Sequence, residues 1–138
     1  MNSGAKHLKL ESIFDKRGGL LPIEFNLLPF VPQRIFLTHD IKQDVTRGGH
    51  AHRKCHQILI PVVGIFEVKL IGLGGRDEIL LERIGSALYI PPLVWSSQKT
   101  LSLDSTLLVI ASDSFDQEDY IYTIEETLEI SAALNVIL

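Results

Sequence analysis

Residues 47–60 read RGGHAHRKCHQILI. In an extended chain, side chains two positions apart leave the backbone on the same face, so His50 and His52 project together with only Ala51 between them. Two imidazoles placed this way can do one of two things. As neutral ligands they can hold a transition metal. Titrating near their usual value of about 6.5, they can take a proton from a substrate and return it at neutral pH. His56 carries no partner signal and reads as exposed. Cys55 reads as a half-buried strand thiol, although Arg53 and Lys54 precede it.

The rest of the chain has to hold those two rings in place. Short β-branched or Leu-rich runs are punctuated by Gly, Pro and Asp, and the strand candidates are residues 7–14, 20–25, 33–38, 57–62, 65–71, 78–83, 87–90 and 106–111. Asp15–Gly19 and Gly72–Asp77 read as turns. Only residues 124–138 have helical spacing, with Leu128, Ala132 and Leu134–Asn135 along one side. Many short strands and one terminal helix predict an all-β sandwich or small barrel, not an alternating βα fold. No linker or repeat interrupts the 138 residues, so one domain over 1–138 is expected.

Composition narrows the function. The net charge is −4, and no basic run is longer than the Arg53–Lys54 pair, so nucleic acid is not an expected partner. A nucleotide diphosphate needs only two or three arginines and stays open. A single cysteine allows no internal disulfide and fits a reducing compartment. The apolar runs are strand-sized and no leader is apparent, so neither a membrane span nor export is expected and the location predicted is cytoplasmic.

The motif around the histidines resembles the first motif of the cupin superfamily, with Gly48-Gly49, His50, His52 and Gly64 in place. Gly85 and Pro91 have the mutual spacing of the second. The resemblance implies a cupin-type β-barrel, a jelly roll or double-stranded β-helix, with a short C-terminal helix. It also tests the metal reading. Where that superfamily places a ligating Glu stands Gln57, and where it places a last His stands Ser96. Two imidazoles alone are short of a catalytic metal centre, so no metal and no cofactor are expected.

A narrower resemblance runs from about Ile13 to Ile121. Asp15–Leu20, Pro22-Ile23-Glu24, Arg34-Ile35-Phe36, Arg47–Arg53, Gln57–Ile60, Leu88–Trp95, Leu108–Ser112 and Phe115–Ile121 together are similar to the dTDP-4-keto-6-deoxyglucose 3,4-ketoisomerases of deoxysugar biosynthesis. The resemblance implies an isomerase that moves the ketone of a dTDP-linked keto-deoxysugar from C4 to C3 through an enediol, acting as a homodimer. It makes His50 and His52 the catalytic pair and Arg17 the group that meets the enediolate charge. Arg34 and Arg47 are then candidates for the diphosphate, and Tyr89 and Trp95 for packing on the thymine or the sugar. Phe36, Gln57 and Ser96 complete the expected substrate-binding set. Three positions depart from the relatives: Phe36 stands for a tyrosine, Ser96 for a His or Arg, and Tyr122 for an Arg. The competing readings are a metal-dependent cupin enzyme, a non-catalytic sugar-nucleotide-binding module, and an epimerase that exchanges protons without moving the ketone.

Overall fold

The structure is a computed structural model and describes residues 1–137. Twelve strands and one helix follow in order: β1 (Lys6–Lys9), β2 (Ile13–Asp15), β3 (Gly18–Leu20), β4 (Arg34–Ile41), β5 (Thr46–His52), β6 (Gln57–Val63), β7 (Phe66–Gly72), β8 (Gly75–Leu81), β9 (Ser86–Ile90), β10 (Trp95–Thr100), β11 (Ser105–Ala111), β12 (Tyr120–Ile121) and α1 (Ile124–Ile137). Ten of the strands form two five-stranded antiparallel sheets, ordered β1-β9-β6-β11-β4 and β12-β5-β10-β7-β8. The all-β barrel with a short terminal helix expected from the sequence is the architecture observed.

Alternation along the strands decides what faces inward. On β6 and β11 the residues Leu59, Leu107 and Val109 turn into the barrel and join Phe66, Val68, Leu70 and Leu88 in a dry cluster. Each large side chain buried there stabilises the fold by about 1.5–3 kcal/mol. Their neighbours Ile58, Ile60 and Ile110 point the other way, yet they are also buried. Leu8, Leu10, Ile23, Leu28 and Phe30 of the N-terminal segment pack over them. The first sheet is therefore covered on both faces, which explains why TLLVIA lacks a polar alternation.

Several local expectations need correction. Residues 20–25 are not a strand: after β3 the chain is irregular and makes a 3₁₀ turn at Phe25–Leu27. The apolar spacing there serves packing of an N-terminal covering segment, not a ladder. Residues 7–14 split into β1 and β2, and β2 pairs only with β3, as a separate two-stranded hairpin. Trp95–Thr100 is a central strand of the second sheet although WSSQKT shows no apolar alternation; its inward side chains are polar because they line a cavity.

Helix α1 begins where predicted. Thr123 caps it by accepting the Glu126 N–H at 3.1 Å, and Glu125 and Glu126 suit the positive end of the helix. Its buried side is Ile124, Thr127, Leu128 and Ser131, whereas Ala132, Leu134 and Asn135 are exposed. The packed stripe thus starts a turn earlier than the spacing implied. Among the described residues no helix is long and apolar enough to cross a membrane.

Candidate active site

The histidine stretch lies on β5, paired with β10 on one side and β12 on the other. Gly48 and Gly49 both have φ near +79°, a conformation that costs residues with a Cβ. The ladder to β10 shifts register between Ser96 and Ser97, opposite this pair, so a bulge re-aims the strand just before the histidines. A Cβ on Gly48 would also come within 3.1 Å of the Ser96 carbonyl. The double glycine is thus a requirement of the site's backbone.

His50 and His52 meet as the two-residue spacing predicted. Their rings stand edge to face with centroids 5.0 Å apart. His50 lines a cavity of about 310 Å³ inside the barrel mouth. His52 is buried, and its Nδ1 lies 2.9 Å from Oδ2 of Asp119. That carboxylate is held in turn by the backbone N–H groups of Lys54 (2.8 Å) and Cys55 (3.2 Å), and the Asp119 carbonyl accepts from the Arg53 N–H. Four contacts fix one acid, so it orients His52 with Nδ1–H toward the carboxylate and the lone pair on Nε2. Burial lowers the pKa of both imidazoles from 6.5. For His50 the charge of His52 adds to the effect; for His52 burial outweighs Asp119, which pulls upward.

Asp119 was not legible in the sequence. It sits 67 residues from its partner, in the run Asp116-Gln117-Glu118-Asp119 where nothing distinguishes one acid from another. The distinction comes from a 3₁₀ turn, Gln117–Asp119, capped by the Asp116 carboxylate accepting from the Glu118 N–H at 3.0 Å. That turn swings Asp119 inward, where it is 5% exposed, and leaves Glu118 outside. Tyr120 follows, with its ring 4.7 Å from His50 and 4.6 Å from His52, and it also lines the cavity.

The expected substrate-binding residues divide into two groups. Arg34, Phe36, Arg47, Gln57 and Ser96 all line the His50 cavity. The Arg34 guanidinium is sandwiched, 4.6 Å over the Phe36 ring and 5.4 Å from that of Phe115. Ser96 accepts a hydrogen bond from the Gln98 amide at 3.2 Å. Tyr89 and Trp95 do not line the cavity. Tyr89 faces the outside of the first sheet because the residues beside it, Leu88 and Ile90, face inward. It stacks on His56, with its hydroxyl 2.7 Å from the His56 Nδ1, so His56 is half-buried and partnered where the sequence read it as exposed. Trp95 packs beside Gly49, on the opposite side of β10 from Ser96. Cys55 is buried, in the loop after β5 and not in a strand.

Arg17 is not in the cavity of its own chain. It occupies the tip of the β2–β3 hairpin, ion-paired with Asp15, and its side chain is 90% exposed. The donor set around His50 also fails to make the superfamily's metal centre. Gln57 and Ser96 add a neutral amide and a hydroxyl to the two imidazoles, and His52 already directs Nδ1 to Asp119. What the arrangement can do is move protons inside a cavity walled by two guanidinium groups.

Known proteins resemble this chain in sequence and fold. Residues 3–132 match the family described as FdtA: WxcM-like, C-terminal. The chain is 34% identical over 132 residues to a TDP-4-oxo-6-deoxy-alpha-D-glucose-3,4-oxoisomerase of Aneurinibacillus thermoaerophilus, covering 95% of each. It superposes on the sugar 3,4-ketoisomerase QdtA from Thermoanaerobacterium thermosaccharolyticum, solved in complex with TDP, with a TM-score of 0.90 at 32% identity over 97% of this chain and 98% of that one. The WlaRB TDP-quinovose 3,4-ketoisomerase from Campylobacter jejuni gives a TM-score of 0.86 at 35% identity, covering 91% and 98%. By family match, identity and fold, the chain belongs to the FdtA family of sugar 3,4-ketoisomerases.

Proposed function

We propose that this chain is a metal-independent 3,4-ketoisomerase for a dTDP-linked 4-keto-6-deoxyhexose. The observation that carries the reading is the pair of edge-to-face imidazoles, one lining the cavity and the other locked to Asp119 behind it. His50 is the group that reaches the sugar. It removes the proton from C3, and the C3–C4 double bond forms as the C4 carbonyl oxygen takes the negative charge. The proton of the C3 hydroxyl passes to that oxygen, and C4 then receives a proton as the C3 ketone forms. One proton leaves carbon and one returns, so no electron acceptor is consumed. His52, held by Asp119, fixes the orientation of His50 and of Tyr120 against it.

General acid–base work of this kind contributes about 10²–10⁴-fold. Stabilising the enediolate must supply much of the rest. Arg34 and Arg47 offer paired hydrogen bonds for the diphosphate. Arg17 can reach a cavity only if the hairpin docks on a second chain, and the surface supports such a pairing. β4 is an unpaired edge whose outward Ile35 is 53% exposed, and the hairpin itself exposes Ile13, Phe14 and Leu20. We therefore read the protein as a homodimer, with Arg17 acting across the interface. The single free cysteine, Cys55, supports a cytoplasmic location.

The test is turnover of dTDP-4-keto-6-deoxyglucose in deuterated buffer, followed by NMR. The expected outcome is a 3-keto product with solvent deuterium at C4, abolished by His50→Asn while TDP still binds. Substrate binding with neither exchange nor product would leave a binding module only, and exchange without ketone migration would make it an epimerase.

A further inference from the structure

The loop that steadies the His52–Asp119 pair also places beside it a group that the isomerisation does not use, the thiol of Cys55. The ligand atoms of His52, Cys55 and Asp119 lie within 4.8 Å of one another, and all three residues are buried. A small separate cavity of about 10 Å³ adjoins them, the room that one water or one small ion needs. Two further carboxylates, Asp113 and Asp116, line it, opposed by Arg34 in its wall and by Lys54, whose Nζ is 3.9 and 3.8 Å from them. Three carboxylates and an ionisable thiol face two cations, a balance that favours a divalent ion.

We infer that His52, Cys55 and Asp119 form an inhibitory site for a borderline-soft divalent cation of the zinc type. An N, S, O donor set selects such ions over magnesium or calcium. His52 Nδ1 and Asp119 Oδ2, now 2.9 Å apart in a hydrogen bond, would need to part by only about half an ångström to become neighbouring ligands of one tetrahedral ion with bonds of about 2.0–2.2 Å. The Cys55 sulfur supplies the third ligand, and the adjoining cavity has room for a water as the fourth. Binding releases one proton to solvent, that of the thiol; the His52 proton moves from Nδ1 to Nε2 so that the ring stays neutral, and the carboxylate gives up none. This is not the interior position where the His-x-His pair would meet Gln57 and Ser96. It matters to function because His52 Nε2 has no hydrogen-bond partner among the described residues. Nδ1 is the ring's sole polar anchor, and an ion that takes it breaks the dyad.

The spectral test stands without the proposed reaction. Untagged, chelator-treated protein is titrated with cobalt(II). The expected result is a thiolate-to-cobalt charge-transfer band in the near ultraviolet, with visible bands of tetrahedral cobalt. These saturate at one ion per chain, are reversed by zinc and are untouched by magnesium. Cys55 is the sole cysteine, so the band reports on it alone. Cys55→Ser should abolish the band and keep the melting temperature. Absence of the band in the parent protein, or its survival in Cys55→Ser, overturns the site. The activity arm rests on the ketoisomerase reading: zinc should inhibit turnover, and Cys55→Ser should require about 10–100-fold more zinc for the same inhibition. Cobalt binding with zinc-insensitive turnover overturns the inhibitory role, while an inactive protein that still gives the band faults the proposed reaction alone.

Discussion

Nδ1 of His52 and Oδ2 of Asp119 are 2.9 Å apart across 67 residues of sequence, and both side chains are buried. Asp119 does not line the His50 cavity; it positions His52 and meets the charge that forms if the imidazole pair takes up a proton. Asp119→Asn keeps the shape and loses the charge. We expect kcat to fall by on the order of 10²–10⁴-fold while KM and TDP affinity hold. Stability should drop by about 1–3 kcal/mol, because three N–H groups lose a charged acceptor. Steady-state kinetics beside TDP titration calorimetry separates this from general unfolding, which would weaken both.

Acidification should switch the enzyme off later than an ordinary histidine would predict. Burial holds both imidazoles below 6.5, so both are neutral at pH 7 and His50 is ready to accept a proton. Activity is full above that value and falls as the pH drops through the lowered pKa values. Stability follows the same sign: the unfolded chain takes up protons near 6.5 and the folded chain resists them, so stability declines as pH falls from 6.5. A kcat/KM profile in chelator-containing buffer should place the acid limb below 6.5. A limb at or above 6.5 would contradict this picture.

Arg34 is clamped between Phe36 and Phe115, so its value lies in a flat cation and not in charge alone. Arg34→Lys keeps the charge and cannot fill the sandwich. It should raise KM about 10–100-fold. Arg47 lines the same cavity but is exposed, so Arg47→Lys should be the milder change. Titration with TDP alone checks the order, and equal losses would remove the distinction.

The outward face of β4 gives a test of assembly. Charging it with Ile35→Glu should convert the protein to monomers in sedimentation, without loss of the β-rich circular dichroism spectrum. If Arg17 works across the interface, the Arg17→Ala and His50→Asn variants are each inactive. Co-expressed, they form mixed dimers with one intact site, recovering about a quarter of full activity by statistical pairing. No recovery would return Arg17 to an exposed turn residue.

Much of this was legible in the residues themselves. A period of two through His50-Ala51-His52, the double glycine before it and strand-sized apolar runs foretold a barrel that brings the two imidazoles together, although only His50 lines the cavity. The family resemblance gave Arg34, Phe36, Arg47, Gln57 and Ser96 as candidates for substrate binding, and all five line the cavity, where strand alternation turns them inward. Tyr89 and Trp95, expected under the same resemblance to pack on the thymine or the sugar, do not line it, since an aromatic side chain does not declare which covered face of a sheet it fills. β10 was hidden because its inward residues serve a polar cavity. Asp119 and Tyr120 were hidden because local sequence cannot say which acid of a run a 3₁₀ turn will bury. Pairing β12 with β5 brings residues 120 and 52 into register, and only that long-range ladder joins the carboxylate to the imidazole.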